Sequence, residues 1–151
     1  MDSLSADNTD IITWEAKYAT GIVIVDKQHK ELVDLTNELY HACLKRNENM
    51  DAVFKASLHR LVEYVRYHFS EEQVILEGIK YPKYHDHKKE HDDLIKDILE
   101  ASKNYGAGNK FVPNLFVRTL KDWIFSHIAV SDKLYSNYIH EQKQKGLLTD
   151  V

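Results

Sequence analysis

The sequence predicts an all-α fold, an up-down-up-down antiparallel four-helix bundle preceded by an N-terminal extended arm, and three observations carry that prediction. Long stretches of helix-forming residues place apolar side chains three and four apart. The helix breakers are few and fall between those stretches: Pro82 and Pro113, with Gly21, Gly78, Gly106, Gly108 and Gly146. A chain of 151 residues, 43% apolar and 29% charged, is long enough for one core that buries roughly 70% of its unfolded surface. One domain over residues 1–151 is expected, with an arm at 1–20 and a polar tail at 140–151.

The elements follow in order. In the arm, the short IIT and GIVIV runs are the sole hints of β character, and Trp14 and Tyr18 are the expected anchors against the bundle. The first helix is predicted from about Lys27 to Arg46 with Asp26 as N-cap, its stripe running through Leu32, Val33, Thr36, Leu39, Tyr40 and Cys43. The second, from about Met50 to Glu77, has the cleanest helical period, through Val53, Phe54, Ser57, Leu58, Leu61, Val65, His68, Glu72, Ile75 and Ile79, and is expected to stop at Gly78 and Pro82. The third runs from about Lys83 to Lys103 through Tyr84, His87, His91, Leu94, Ile95 and Ile98, after which NYGAGNK reads as a loop. The fourth opens at Pro113, a favoured first-turn residue, and passes Phe116, Leu120, Trp123, Ile124, His127, Ile128, Leu134 and Tyr135 before fraying in EQKQKG. Connections of roughly 4 to 9 residues return each helix antiparallel to the one before it.

Charge and cysteine content remove several classes of function. Twenty basic and twenty-four acidic residues leave a net charge of −4, without the basic face that a nucleic acid requires. The longest wholly apolar run is Gly21 to Val25, far short of the roughly 20 residues that cross a bilayer. Cys43 is alone and the leading MDSLSADNTD is acidic rather than basic-then-apolar, so a cytoplasmic protein is expected. Cys43 itself reads as a small core residue.

Histidine is the anomaly: nine in the chain, against one cysteine. His68 and Glu72 lie on the apolar stripe of the second helix, His87 and His91 on that of the third, His29 heads the stripe of the first, and His127 sits among Trp123, Ile124 and Ile128 in the fourth. Each helix therefore turns at least one imidazole toward the core, where unpartnered polar groups are costly. Residues four apart project from one helical face, which makes His68/Glu72 and His87/His91 chelating pairs. His127 and Asp132 are five apart, about 140° on an ideal helix. Either the buried arc there is wide or a π-bulge lies between them. Five imidazoles and two carboxylates exceed what one zinc or one octahedral ion takes, so two ions are expected to share them, with the carboxylates as bridges. His41, His59, His85 and His140 lack a partner at ligand spacing and read as solvated or lying behind the ligands, His85 being the one best placed for adventitious metal. Among the aromatics, expected to be packing residues, Tyr135 is the one expected near the site.

These motifs together, Trp14-x3-Tyr18-x2-Gly21-Ile22-x3-Asp26-x2-His29, His68-Phe69-x2-Glu72, His87-x3-His91 and His127-x4-Asp132, resemble the hemerythrins, in particular the single-domain bacterial ones, over about residues 14 to 138. The resemblance implies two iron ions with an oxo or hydroxo bridge, binding one O₂ reversibly. It assigns His87, His91 and His127 to one iron, His29 and His68 to the other, and Glu72 and Asp132 to both. Leu32, Ile124 and Ile128 correspond to the family's apolar oxygen pocket. Thr20 departs from the pattern, standing where an apolar residue is more common. The implied role is oxygen storage, transport or delivery by a non-enzymatic, monomeric protein, with an oxygen-consuming enzyme as a recipient. A di-iron oxidase or peroxidase, or a sensor or iron store using the same site, is the alternative.

Overall fold

The computed structural model describes residues 10–44, 50–106 and 113–149, without the side chains of 50 and 104–106. Four rods make up the described chain: α1 (Val23–Leu44), α2 (Met50–Gly78), α3 (Tyr84–Gly106), and a fourth in which α4 (Pro113–His127), a π-helical turn (Ile128–Asp132) and α5 (Lys133–Gln144) run on without a break. α1 packs against α2 and α4, and α3 against the same two, closing a ring. The antiparallel course is visible in the site itself, where His29 near the start of α1 meets His68 late in α2, and His91 early in α3 meets His127 at the end of α4. No strand occurs among the described residues, and no helix among them is long and apolar enough to cross a membrane.

α1 begins four residues earlier than the sequence reading placed it, and Asp26 lies in its first turn instead of at the N-cap. Its carboxylate reaches back to accept from Thr20 N (2.7 Å), Thr20 Oγ1 (2.8 Å) and Gly21 N (3.1 Å), while Thr20 Oγ1 accepts from Ile22 N (3.1 Å). The buried Thr20 is therefore a reciprocal cap for amides that the helix leaves unpaired, which accounts for a polar residue at that point. GIVIV belongs largely to this helix, not to a strand.

The arm is held by more than its two aromatics. Tyr18 is buried in a short 3₁₀ turn (Ala16–Tyr18) against Phe125 at 5.3 Å, and Trp14 is half-buried beside it. Asn37 on α1 accepts from the amides of Ile11 and Ile12 at 3.0 and 3.1 Å and donates to the Ile12 carbonyl at 2.9 Å. At the other end, His140 Nε2 donates to the Thr20 carbonyl (2.7 Å), so the last helix also grips the arm. The close approach needs Gly21, whose φ is +80° and where a Cβ would come within 2.9 Å of His140 Nε2. The helix continues through His140 to Gln144, into the EQKQKG stretch where fraying was expected.

Gly78 does not take the left-handed conformation that a glycine stop suggests. Lys80 does, at φ 56°, with Lys80 N bonded to Glu77 O and Tyr81 N to Leu76 O. A Cβ in that conformation is strained by about 1 kcal/mol. Lys80→Gly is therefore expected to raise the free energy of unfolding by about 1 kcal/mol in a denaturant titration. α3 likewise extends to Gly106, beyond the expected end at Lys103, and the remainder of that loop lies outside the described residues.

The core is two apolar clusters with a polar layer between them. Leu32, Val65, Phe69, Leu94, Ile124 and Ile128 belong to the larger cluster, and Val25, Leu76, Tyr81, Tyr135 and Ile139 to the smaller. Along every rod the chemically distinctive residues, His29, Glu72, His87, His91 and Asp132, fall at the changeover. Two residues on the expected stripes are exposed, Val53 (43%) and Leu134 (49%). Leu134 is turned out because the π turn adds a residue to the helical register, bringing Asp132, Tyr135 and Ile139 inward in its place. Cys43 is half-buried against the larger cluster, and burial pushes its thiol up to about 12.

Candidate metal centre

Five imidazoles and two carboxylates converge in the polar layer, in two groups that share the carboxylates: His87, His91 and His127 with Glu72 and Asp132, and His29 and His68 with the same two acids. Within each group the donor atoms lie within 4.8 Å of one another. The local reasons differ by rod. In α2 and α3 the four-residue spacing of an ordinary helix aims both members of each pair inward. In the fourth rod the π turn begins directly after His127 and ends at Asp132, so the wider turn brings residues five apart to one side. Of the two geometries the sequence left open, the bulge is the one present.

Each carboxylate divides its oxygens between the groups. Glu72 Oε1 is 2.7 Å from His87 Nε2 and 3.0 Å from His91 Nε2, while Glu72 Oε2 is 3.4 Å from His68 Nε2 and 3.9 Å from His29 Nε2. Asp132 Oδ1 is 3.1 Å from both His87 and His127 Nε2, and Oδ2 is 3.1 Å from His29 Nε2. His29 and His68 face each other through Nε2 at 3.1 Å, as do His91 and His127. Two nitrogens each about 2.1 Å from one ion, at angles between octahedral and tetrahedral, stand roughly 3.0–3.4 Å apart.

The outer nitrogens explain which way the inner ones face. Gln28 Oε1 accepts from His68 Nδ1 at 2.7 Å, and a carbonyl can only accept, so His68 carries its hydrogen outward and points an Nε2 lone pair into the site. The Gln73 amide stands 3.0 Å from His91 Nδ1, and Glu90 Oε2 accepts from His127 Nδ1 at 2.8 Å and from Ser131 Oγ at 2.5 Å. Phe69 stacks on the His91 ring at 3.7 Å with an interplanar angle of 4°. Tyr135, the aromatic expected near the site, donates to Glu72 Oε2 at 2.7 Å. The site therefore rests on Gln28, Gln73, Glu90 and Ser131, which the sequence reading did not single out, and on Phe69, which it named only within the His68–Glu72 motif. The available signal was position: Gln28, Gln73 and Glu90 are immediate neighbours of His29, Glu72 and His91 on the shoulder of each buried stripe.

The electrostatics ask for positive charge. Burial and the Glu72 charge both work against ionised Asp132, yet His127 and His29 hold its carboxyl below the usual range. Burial likewise opposes charge on Glu72, and His68, His87 and His91 pull its carboxyl well below the usual range. Burial disfavours a charged His87, but the Asp132 carboxylate beside it and its hydrogen bond to Glu72 keep it up at about 9. For His127 burial is overcome by the Asp132 charge and by the hydrogen bond to Glu90, to about 10. Burial lowers His91 to about 4, with the neighbouring His127 and His87 adding to the effect. Glu90 is held down at about 2, chiefly by its hydrogen bond from His127. Two protons on these imidazoles thus occupy the role of cations between two carboxylates.

Among the described residues, three buried side-chain atoms find no hydrogen-bond partner: His29 Nδ1, Asp132 Oδ1 and Asp132 Oδ2. Carboxylate oxygens without partners in a dry interior, facing imidazole nitrogens at the spacing of ligands around a common ion, fit a pair of metal ions that would take the place of those protons. The remaining histidines stand apart. His59 and His85 are exposed, the latter against Tyr84; His41 is 3.1 Å from Asp10; and His140 serves the arm. None of these four belongs to either donor group.

The family model for the hemerythrin HHE cation-binding domain matches residues 20–139. The chain belongs to the hemerythrin family. It is 31% identical over 126 residues to a bacteriohemerythrin of Methylococcus capsulatus, covering 83% of this chain and 94% of that one. A bacteriohemerythrin of Clostridium acetobutylicum is 31% identical over 131 residues, covering 83% and 98% respectively. The crystal structure of a wild-type hemerythrin superposes with a TM-score of 0.77 at 30% identity, covering 84% of this chain and 96% of that one. Hemerythrins as a family bind oxygen at a non-haem pair of irons in a four-helix bundle, so this hemerythrin is an oxygen-binding protein of that general kind.

Proposed function

We propose that this hemerythrin binds O₂ reversibly, for storage, transport or delivery, at a di-iron centre held by His29, His68, His87, His91, His127, Glu72 and Asp132. The observation that carries the reading is the division of donors, three histidines on one side of the shared carboxylates and two on the other. An iron pair would supply the two electrons that oxygen takes up on binding and returns on release. The side held by His29 and His68 has one protein donor fewer, which leaves room there for a gas. With five neutral imidazoles and only two carboxylates around four positive charges, the shell donates little negative charge, which favours the reduced metals and disfavours O–O cleavage. Gln28, Gln73 and Glu90 stand against the outer nitrogens of His68, His91 and His127 and so fix the orientation of those rings before any ion arrives. Leu32, Ile124 and Ile128 are 1–2% exposed, and their part in this reading is to line the oxygen pocket and exclude water.

Loading the chain with ferrous salt under argon, admitting air and then sweeping it out tests the reading. A visible band that appears with air and vanishes without it is expected. A lasting change with consumption of reductant points to an oxidase, and no response to oxygen contradicts the proposal. Leu32→Ala should speed loss of the oxygen-binding form several-fold, measured well below the melting temperature, because water reaches the site; it should also cost about 2–5 kcal/mol of stability.

A further inference from the structure

We propose that the groove between α3 and the fourth rod is the way in for the metal, a carboxylate-lined vestibule that gathers divalent cations and passes them by the His127 ring. The inference rests on the di-iron reading and adds to it the path by which the site is filled. The groove has a volume of about 510 Å³ and is lined by Glu90, Asp93, Asp97 and Asp122, with Trp123 beside them and His127 at its floor. Of the seven donors His127 has the most exposed side chain, at 8%, against 0–4% for the others. Directly behind it, 3.1 Å from its Nε2, is Asp132 Oδ1, fully buried and without a hydrogen-bond partner. A cation that passes His127 therefore meets an unpaired carboxylate at once.

The latch on His127 is suited to opening. Its outer nitrogen is held by Glu90, whose side chain is 51% exposed, so water can take over that hydrogen bond when the ring swings. Asp93 pairs with Lys89, an ion pair exposed on both sides, and the exposed Asp122 with the half-buried Lys121, and solvent and incoming cations compete for both acids. No lysine or arginine lines the groove. Three other grooves differ in charge and in what they reach. In the one between α1 and α2, Arg60 and His41 stand among Asp10, Asp34 and Glu38; a second is lined by Lys55, His59 and Arg66; a third carries Lys17 and Lys121. None of the three is lined by any of the seven donors. Fixed negative charge focused in a cleft raises the local concentration of cations and their rate of capture.

The test uses the full chain, stripped by chelation and confirmed helical by circular dichroism, with Co²⁺ as probe and its visible absorption as the record of uptake. Asp93→Asn/Asp97→Asn/Asp122→Asn should slow uptake about ten-fold at low ionic strength. The difference should shrink as salt screens the groove. Asp10→Asn/Asp34→Asn/Glu38→Gln, which removes equal charge at the α1–α2 groove, should stay within about two-fold of the parent chain. All three proteins should finish with two ions each. Equal slowing in both triple variants, or none in the first, overturns the route while leaving the site intact. Failure of the parent chain to take up two ions overturns the di-iron reading and the route with it.

Discussion

Glu72→Gln is expected to leave a folded helical chain that holds neither ion firmly and shows no oxygen-dependent absorption. Glu72 is shared by both donor groups, Oε1 facing His87 and His91 and Oε2 facing His68 and His29. An amide of the same shape can still accept from Tyr135, but it cannot present two anionic oxygens. The loss in metal affinity should be at least about 100-fold, more than the 10–100-fold that follows loss of an outer partner. His68→Ala provides the contrast, since His68 belongs to one group alone. It should retain about one ion per chain, on the three-histidine side, and lose oxygen binding. Elemental analysis after gel filtration checks both; two ions per chain with normal oxygen response in either variant rejects its assignment.

Removing the metal should lower the melting temperature by about 8–16 °C for each of the two ions lost. An ion at 1,000 times its Kd adds about 4 kcal/mol to the native state, and a chain of this size gains roughly 2–4 °C per kcal/mol. The effect has a visible cause: stripped of cations, Glu72 and Asp132 repel one another at zero exposure, and Asp132 keeps two oxygens without partners. Calorimetry on loaded and chelator-treated protein measures it. Equal melting temperatures would mean that the buried acids are satisfied without metal.

Much of this was legible in the residues. Apolar period and sparse breakers specify the four rods, and inward-facing histidines at four-residue spacing specify the layer that splits the core. The misjudged boundaries have local hydrogen-bonding causes that the apolar period does not carry. α1 starts early because Asp26 and Thr20 cap each other across the turn at Gly21, a pairing no helical period encodes. α2 closes through Lys80 rather than Gly78, since the Tyr81 N–Leu76 O bond fixes the turn despite the side chain. Leu134 sits outside because a π turn shifts the register; the five-residue gap between His127 and Asp132 raised that possibility without deciding it. Gln28, Gln73 and Glu90 were marked only by standing next to ligands, because the rings they support come from other rods.

Anomalous diffraction at the iron edge from crystals of the loaded protein addresses the shared-carboxylate arrangement directly. Two peaks roughly 3.5–4 Å apart are expected, one among His87, His91 and His127 and the other beside His29 and His68, with Glu72 and Asp132 between them. A single peak, or iron outside this layer, would contradict it.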